Sequence, residues 1–374
     1  MKDYFTGDCA RRIAEGINNG SFAVDAEDYA AAVDSRVGEL ELKDRVLVLA
    51  EELRERLPGD YPEAVGILVD SLGPELSGEK GMFNESWFLM PVARFVEEYG
   101  LDHPQESLAA IEQITRRHTG EFAIRPYLVR WPRETMDQVE RWAGSESHNV
   151  RRLASEGIRP RLPWHSQLPA FIEDLEPVIR IVSRLVEDPS VYVRTSVANN
   201  LNDISKDHPE LAVATAGRWL AEAQDEGRAT WVVTKGLRGL IKAGHHGALS
   251  LVGAEPDPSI AVTDVALDTD SPKVGETMTI TATVGNTGDS VRDVVVDYQV
   301  HFRKADGTLR PTTFKMGRVT VGPGETAAVS KKHSFKVVQT RRYHPGGQGL
   351  TVQANGAPTE LLTFILLEAD DGLS

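Results

Sequence analysis

The sequence predicts a multidomain chain, α then β: an all-α solenoid of HEAT-like repeats over residues 1–250, a linker at 251–258 and an immunoglobulin-like β-sandwich over 259–374. Two observations carry that division. Val150-Arg151 recurs as Val193-Arg194 after 43 residues, and as Leu237-Arg238 after 44 more. At such a period two-helix units stack into HEAT or armadillo arrays, because no unit buries its apolar face alone. Past the Pro-rich stretch GAEPDPS the hydrophobic period then changes from 3.6 to 2.

From residue 6 to 115 the pattern is helical. ELKDRVLVLAEELRERL carries Val46, Leu47, Leu49, Ala50 and Leu53 as its apolar face, YPEAVGILVDSL opens with a first-turn proline, and Pro91 in NESWFLMPVARFVEEYG should kink a helix. Trp87 and Phe88 read as core. GPELSGEKG, from Gly73, has phosphate-loop glycine spacing but Glu79 where the lysine belongs, which argues against a nucleotide site. A helix over about Pro104–Arg117 and a Thr119-Gly120 break follow. A second helix then begins at Glu121, with Arg125 one turn on as its i,i+4 ion-pair partner. RETMDQVERWAG turns Met136, Val139 and Trp142 inward.

The stretch HNVRRLASEGIRPRLPW, His148 to Trp164, is the densest in chemistry. Val150, Leu153 and Ala154 form a helical stripe that Gly157 ends, and Pro160 and Pro163 hold the next residues extended. In the following unit Asp188-Pro189 supplies a cap, and Val193, Val197, Leu201 and Ile204 the buried stripe. For the recurrent arginines, bracing the next repeat is the commoner role in such arrays. His245-His246 has no third ligand at metal spacing and reads as linker.

Beyond the linker, Met278, Ile280, Ala282 and Val284 alternate with threonines before a turn at Asn286-Thr287-Gly288. Val294, Val296, Tyr298, Val300 and Phe302 alternate before another at Asp306-Gly307. Further strands around 314–321, 326–338, 348–354 and 360–367 make about seven in an antiparallel sandwich without a disulfide. Its one unusual loop, QTRRYHPGG, carries Arg341, Arg342 and His344. It suits phosphate or groove contact as well as ordinary strand connection.

The net charge of −15 is uneven: −14 over 1–115, +1 over 116–255 and −2 over the rest. Ten arginines and no lysine lie between Arg116 and Arg161, against six acids. Arginine's planar fork suits phosphate, so a local stripe could bind DNA on an acidic protein; a solvated face of paired charges fits equally. A single cysteine, Cys9, excludes a disulfide framework and implies a reducing, cytoplasmic setting, with Cys9 itself a packing residue. The N-terminus lacks the apolar core of a signal peptide, and no run is long enough to span a membrane.

The segments GEFAIRPYLVRWP, NVRRLASEGIRPRLPW and VRTSVANNLNDISKDHP resemble the AlkC-type DNA glycosylases, the alkylation-repair enzymes of the HEAT-like-repeat class. The appended immunoglobulin-like domain is similar to one branch of that group. The resemblance implies a monomer that binds alkylated double-stranded DNA and hydrolyses the N-glycosidic bond of cationic bases such as 3-methyladenine, with no metal or other cofactor. A base alkylated on a ring nitrogen leaves without a general acid, so the protein must stabilise an oxocarbenium-like sugar and position water. Glu121 and Glu156 are the candidate carboxylates, and Trp164 the ring that packs on the lesion or its sugar. Arg125, Arg152, Arg159, Arg161 and Arg194 are candidate DNA contacts, with Lys206 and Arg238 extending the track. Arg152 could instead orient Glu156. Asn200 and Asp203 either face the same concavity or serve interior hydrogen bonding. Arg341, Arg342 and His344 would let the sandwich act as a clamp. A non-catalytic HEAT scaffold that binds DNA or protein is the alternative.

Overall fold

A computed structural model of the chain describes residues 2–76, 78, 85–254, 257–337 and 342–369. Glu79 and Lys80 of the glycine-rich stretch, and Arg341, lie outside the described residues. The chain forms two compact units, Met1–Asp207 with Trp219–Gly236, and His208–Arg218 with Leu237–Ser374. The second unit therefore holds the sandwich together with the short helices Arg238–Lys242 and His246–Leu251. Among the described residues no helix is long and apolar enough to cross a membrane.

The first unit is helical throughout. Helix His148–Glu156 buries Val150, Leu153 and Ala154 against helix Val191–Asp207, which buries Val193, Val197, Leu201 and Ile204. The latter helix packs in turn on Glu226–Gly236. Two recurrent arginines share one local structure. Arg151 Nη1 donates to the carbonyls of Ser145 and Glu146 at 2.8 and 2.9 Å, and Arg194 Nη1 to those of Asp188 and Pro189, the same positions one repeat later. Arg151 also grips Asp188 of the next unit with two bonds of 2.6 and 3.1 Å. The third recurrence differs, because helix Glu226–Gly236 stops just before Leu237-Arg238 and a new short helix starts at Arg238.

Several local expectations are corrected. Pro91 lies in the first turn of helix Met90–Tyr99 and so starts that helix instead of kinking it. Trp87 and Phe88 are half-buried, flanked by Arg12 over the Phe88 ring at 4.0 Å. Residues 121–124 form turns, and the helix begins at Arg125. Ser190 caps helix Val191–Asp207 by accepting from the Val193 N–H at 3.3 Å, while Asp188 is committed to Arg151 and to the Ser190 N–H. His246 opens a helix, and His245 meets Glu210 at 3.1 Å. Cys9, by contrast, is buried as a packing residue would be, and burial pushes its thiol up to about 12.

In the second unit the described strands are β1 (Ile260–Leu267), β2 (Thr277–Asn286), β3 (Arg292–Arg303), β4 (Leu309–Val321), β5 (Thr326–Ser334), β6 (Gly346–Ala354), β7 (Ala357–Pro358) and β8 (Leu362–Leu366). One sheet runs β1-β2-β5 and the other β4-β3-β6-β7, with β8 on β6. The alternating residues of β2 and β3 face one core, with Met278, Ile280, Val284, Val294, Val296 and Val300 fully buried. The sheets are antiparallel and form an immunoglobulin-like sandwich.

The repeat packing makes a specific demand at Gly236. A Cβ there would stand 2.6 Å from Leu201 Cδ2 and 2.9 Å from its Cβ. Gly236→Ala should therefore destabilise the protein by about 1–3 kcal/mol through overpacking. Urea denaturation measures it; an unchanged midpoint would show that the helices separate without cost.

Candidate functional site

The site is a chain of alternating charges buried in the helical unit. Its first carboxylate, Glu121, stands in the turn after the Thr119-Gly120 break. Gly120 is required there, because a Cβ would meet Ile111 Cγ2 at 2.6 Å. Thr119 Oγ accepts the Glu121 backbone N–H at 3.3 Å, donates to Glu121 Oε2 at 3.1 Å and also accepts from Arg152 Nη1 at 3.1 Å. Arg152 Nη1 pairs directly with Glu121 Oε2.

One helical turn beyond Arg152, Glu156 Oε1 lies 3.4 Å from Arg152 Nη2 and accepts from Arg159 Nη1 at 2.7 Å. Arg159 Nε donates to Asp203 at 2.8 Å, and Asp203 also accepts from Lys206 at 2.9 Å. The Lys206 end of this series is the most exposed, with half of its side chain in solvent, whereas Glu121, Arg152, Glu156 and Arg159 keep less than a tenth of theirs exposed and Asp203 is completely buried.

Burial alone would push the Glu156 carboxyl up, but the Arg152 and Arg159 guanidiniums outweigh it and hold the carboxyl below its ordinary range. Burial likewise opposes the charges on Arg152 and Arg159, yet Glu121 and Glu156 on the first, and Glu156 and Asp203 on the second, keep both firmly protonated. The Arg152 guanidinium also lies over the Tyr192 ring at 5.0 Å. Asn200 secures the helix that carries Glu156 by donating to the Ser155 carbonyl at 2.8 Å and to its hydroxyl at 3.0 Å.

The expected pairing of Glu121 with Arg125 is not formed. Arg125 is buried and spends its donors on the carbonyls of Gly157, Arg159 and Ser166 at 3.1, 3.0 and 2.7 Å, which pins the 157–166 loop. Burial, aided by the nearby Arg159 charge, brings its pKa down to about 10. Arg125, Arg159, Asn200 and Asp203 are thus buried on interior partners, which for Asn200 and Asp203 matches the interior one of their two expected roles. Arg152 belongs to the carboxylate series, so of its two expected roles the orienting one matches its geometry.

Arg161 forms two bonds with Asp207, 2.7 and 2.6 Å, at a half-buried position. Arg194 lies over the exposed Trp231 at 5.6 Å. Arg238, Arg342 and His344 belong to the second unit, and Arg341 lies outside the described residues. Among the described residues no group of three His, Cys, Asp or Glu is arranged to hold a metal ion.

Trp164 has the unusual backbone of the site. Its φ is +67°, a left-handed conformation that non-glycine residues rarely adopt, and its indole is 59% exposed. The Lys43 ammonium, from helix Leu42–Arg56, donates to the Trp164 carbonyl and fixes the loop. Trp164 rims a mostly apolar pocket whose wall includes Thr119, the residue that buttresses Glu121. Thr119, Tyr192 and Lys43 had no signature in the sequence: the first reads only as a helix break, and Lys43 lies 121 positions from its partner.

The solved structure of the Pseudomonas fluorescens alkylpurine DNA glycosylase AlkC, bound to DNA containing an abasic site analog, superimposes with a TM-score of 0.89. It is 30% identical, over 98% of this chain and 99% of that one. The chain belongs to the AlkC family. This AlkC-family chain is also 37% identical to the uncharacterized protein YhaZ of Bacillus subtilis (strain 168) over 326 residues, 87% of each chain. Residues 261–368 match the model of the C-terminal Ig-like domain of YhaZ.

The depressed Glu156 carboxyl has a defined consequence. A carboxyl whose folded value lies below its unfolded one stabilises the fold above the ordinary glutamate range, about 4.3, and loses that contribution as pH falls through the folded value. The denaturation midpoint of the wild type should therefore drop below about pH 4.3, and Glu156→Gln should flatten that drop. Parallel acid limbs for the two proteins would place the titration elsewhere.

Proposed function

We propose that this chain is a DNA glycosylase of alkylation repair, acting as a monomer in the cytoplasm on duplex DNA. It hydrolyses the N-glycosidic bond of cationic alkylated bases such as 3-methyladenine without a metal. The observation that carries the reading is the near full-length likeness to a glycosylase bound to abasic-site DNA. It is supported by the preorganised carboxylates beside a pocket rimmed by an exposed tryptophan.

The chemistry follows from the leaving group. The C1′–N bond breaks with its electron pair passing to the cationic base, which departs neutral and needs no acid. The sugar is left as an oxocarbenium ion, the oxygen of a water bonds to C1′, and the water's proton passes to a carboxylate or to solvent. Glu121 stabilises the cation. Arg152 and Thr119 hold it at fixed geometry before the charge develops, so little reorganisation is needed. Glu156 and Asp203 lie deeper and keep Arg152 and Arg159 in place, with Glu156 adding to the negative field. Trp164 offers a π face to the lesion or its sugar.

Glu121→Gln should lower single-turnover excision of methylated duplex by about 10²–10³-fold, a barrier increase of about 3–4 kcal/mol. Circular dichroism checks that the variant is folded, since Arg152 loses a partner. Excision at the wild-type rate would remove Glu121 from the reaction, and DNA binding with no base release by the wild type would leave a scaffold.

Lys206, exposed at the end of the charge series, is the residue of that series best placed to meet a phosphate. Lys206→Ala should reduce the slope of log affinity against log salt by about one unit, and Arg342→Ala with His344→Ala should do likewise if the sandwich acts as a clamp. Arg125→Met should leave the slope alone, because its donors are internally committed. Unchanged slopes for Lys206 and the sandwich pair would direct the DNA to other surfaces.

A further inference from the structure

The pocket beneath Trp164 lies outside the carboxylate series and has its own chemistry. It is a partly open pocket with a mostly apolar lining. Leu42, Val46, Met90 and Ala93 make an apolar floor on two helices. Phe122 and the His165 ring stack against each other at 5.8 Å with planes 23° apart, and supply a flat aromatic wall.

Its polar lining residues are Lys43, Arg94, Glu97, His118, Thr119 and His165. Lys43 has three N–H donors, of which one is given to the Trp164 carbonyl. Glu97 is an acceptor on the opposite helix, held by Arg94 at 3.0 Å and facing His165 Nε2 at 3.4 Å. A mostly apolar pocket with a stacked aromatic pair, the Lys43 ammonium as a donor and the Glu97 carboxylate as an acceptor fits a planar heterocycle with ring-nitrogen acceptors and an exocyclic amine. A neutral alkylated purine has those groups and a flat π face, whereas a phosphate would leave the aromatic wall unused.

We infer that this pocket is a subsite for the free base, holding the neutral purine after its bond to the sugar has broken. The inference rests on the glycosylase reading for the origin of its ligand. Thr119 connects the two places physically: its side chain bonds Glu121 and Arg152, and the residue also forms part of the pocket wall. A base parked there lies beside the carboxylate that stabilises the sugar cation, and its residence slows turnover without entering the chemical step.

The test is equilibrium dialysis of the full-length protein against free 3-methyladenine, which requires no catalysis. The wild type should take up the base saturably. Ala93→Leu, which fills the floor, and Phe122→Leu, which removes the ring but keeps apolar bulk, should each weaken uptake at least tenfold. Free base added to an excision assay should slow multiple turnover of the wild type, and Ala93→Leu should relieve that inhibition while keeping the wild-type single-turnover rate. No saturable uptake by the wild type overturns the inference, as does wild-type uptake by a folded Ala93→Leu. If Ala93→Leu does not fold, undiminished uptake by Phe122→Leu overturns it in the same way. Absence of base release from methylated DNA would sink the glycosylase reading, and the dialysis result would still decide whether the pocket binds purine.

Discussion

A guanidinium shut away from water is tolerable only when opposite charges meet it at close range, and Arg152 is held in that way. Glu121 approaches from a turn and Glu156 from the same helix one turn on, while Tyr192 offers its ring face. Replacing a charged member by a neutral one would leave a buried charge under-compensated, a loss of about 3–5 kcal/mol in comparable pairs. The segments that bring these groups together are thereby tied to one another: the turn after Thr119, the helix His148–Glu156, the loop through Arg159 and the helix Val191–Asp207. A carboxylate in such a setting is held at fixed geometry before any ligand arrives.

The two arginine functions, structural and electrostatic, are separated by one position in the sequence. Arg151 points to the next repeat and binds Asp188, while its neighbour Arg152 turns into the carboxylate series. Adjacent helical residues face directions about 100° apart, so a single turn of helix serves both the stacking of repeats and the site. Arg125 has a third use, as a clasp on carbonyls of the loop that ends in Trp164.

Periodicity made much of the fold legible. The stripes Val150-Leu153-Ala154 and Val193-Val197-Leu201-Ile204, and the alternation in β2 and β3, are local patterns whose burial depends only on which face meets a core. The candidate site was legible as residue types: Glu121, Glu156 and Trp164 stand in segments whose composition is unusual for packing alone. Their partners were not, since Glu121 has Arg125 at ideal helical spacing and yet binds Arg152, 31 positions away. The spacing argument assumed that the helix started at Glu121, and the turns at 121–124 remove that premise. Arg159 and Asp203, 44 positions apart, met by the stacking of one repeat on another, which no local pattern encodes.

Trp164 combines two features that selection for stability alone would remove. Glycine would occupy its left-handed backbone conformation without a side-chain clash, and a polar residue would spare the solvent a large apolar surface. A chain that keeps a bulky exposed indole there, with its carbonyl tethered by an ammonium from a distant helix, carries a local thermodynamic cost in the unbound state. Covering the ring returns the part of that cost due to its exposed apolar surface, while the left-handed backbone keeps its own. Association at this loop should accordingly proceed with the loop's shape already set, and the entropy of arranging it has been lost during folding rather than at the encounter.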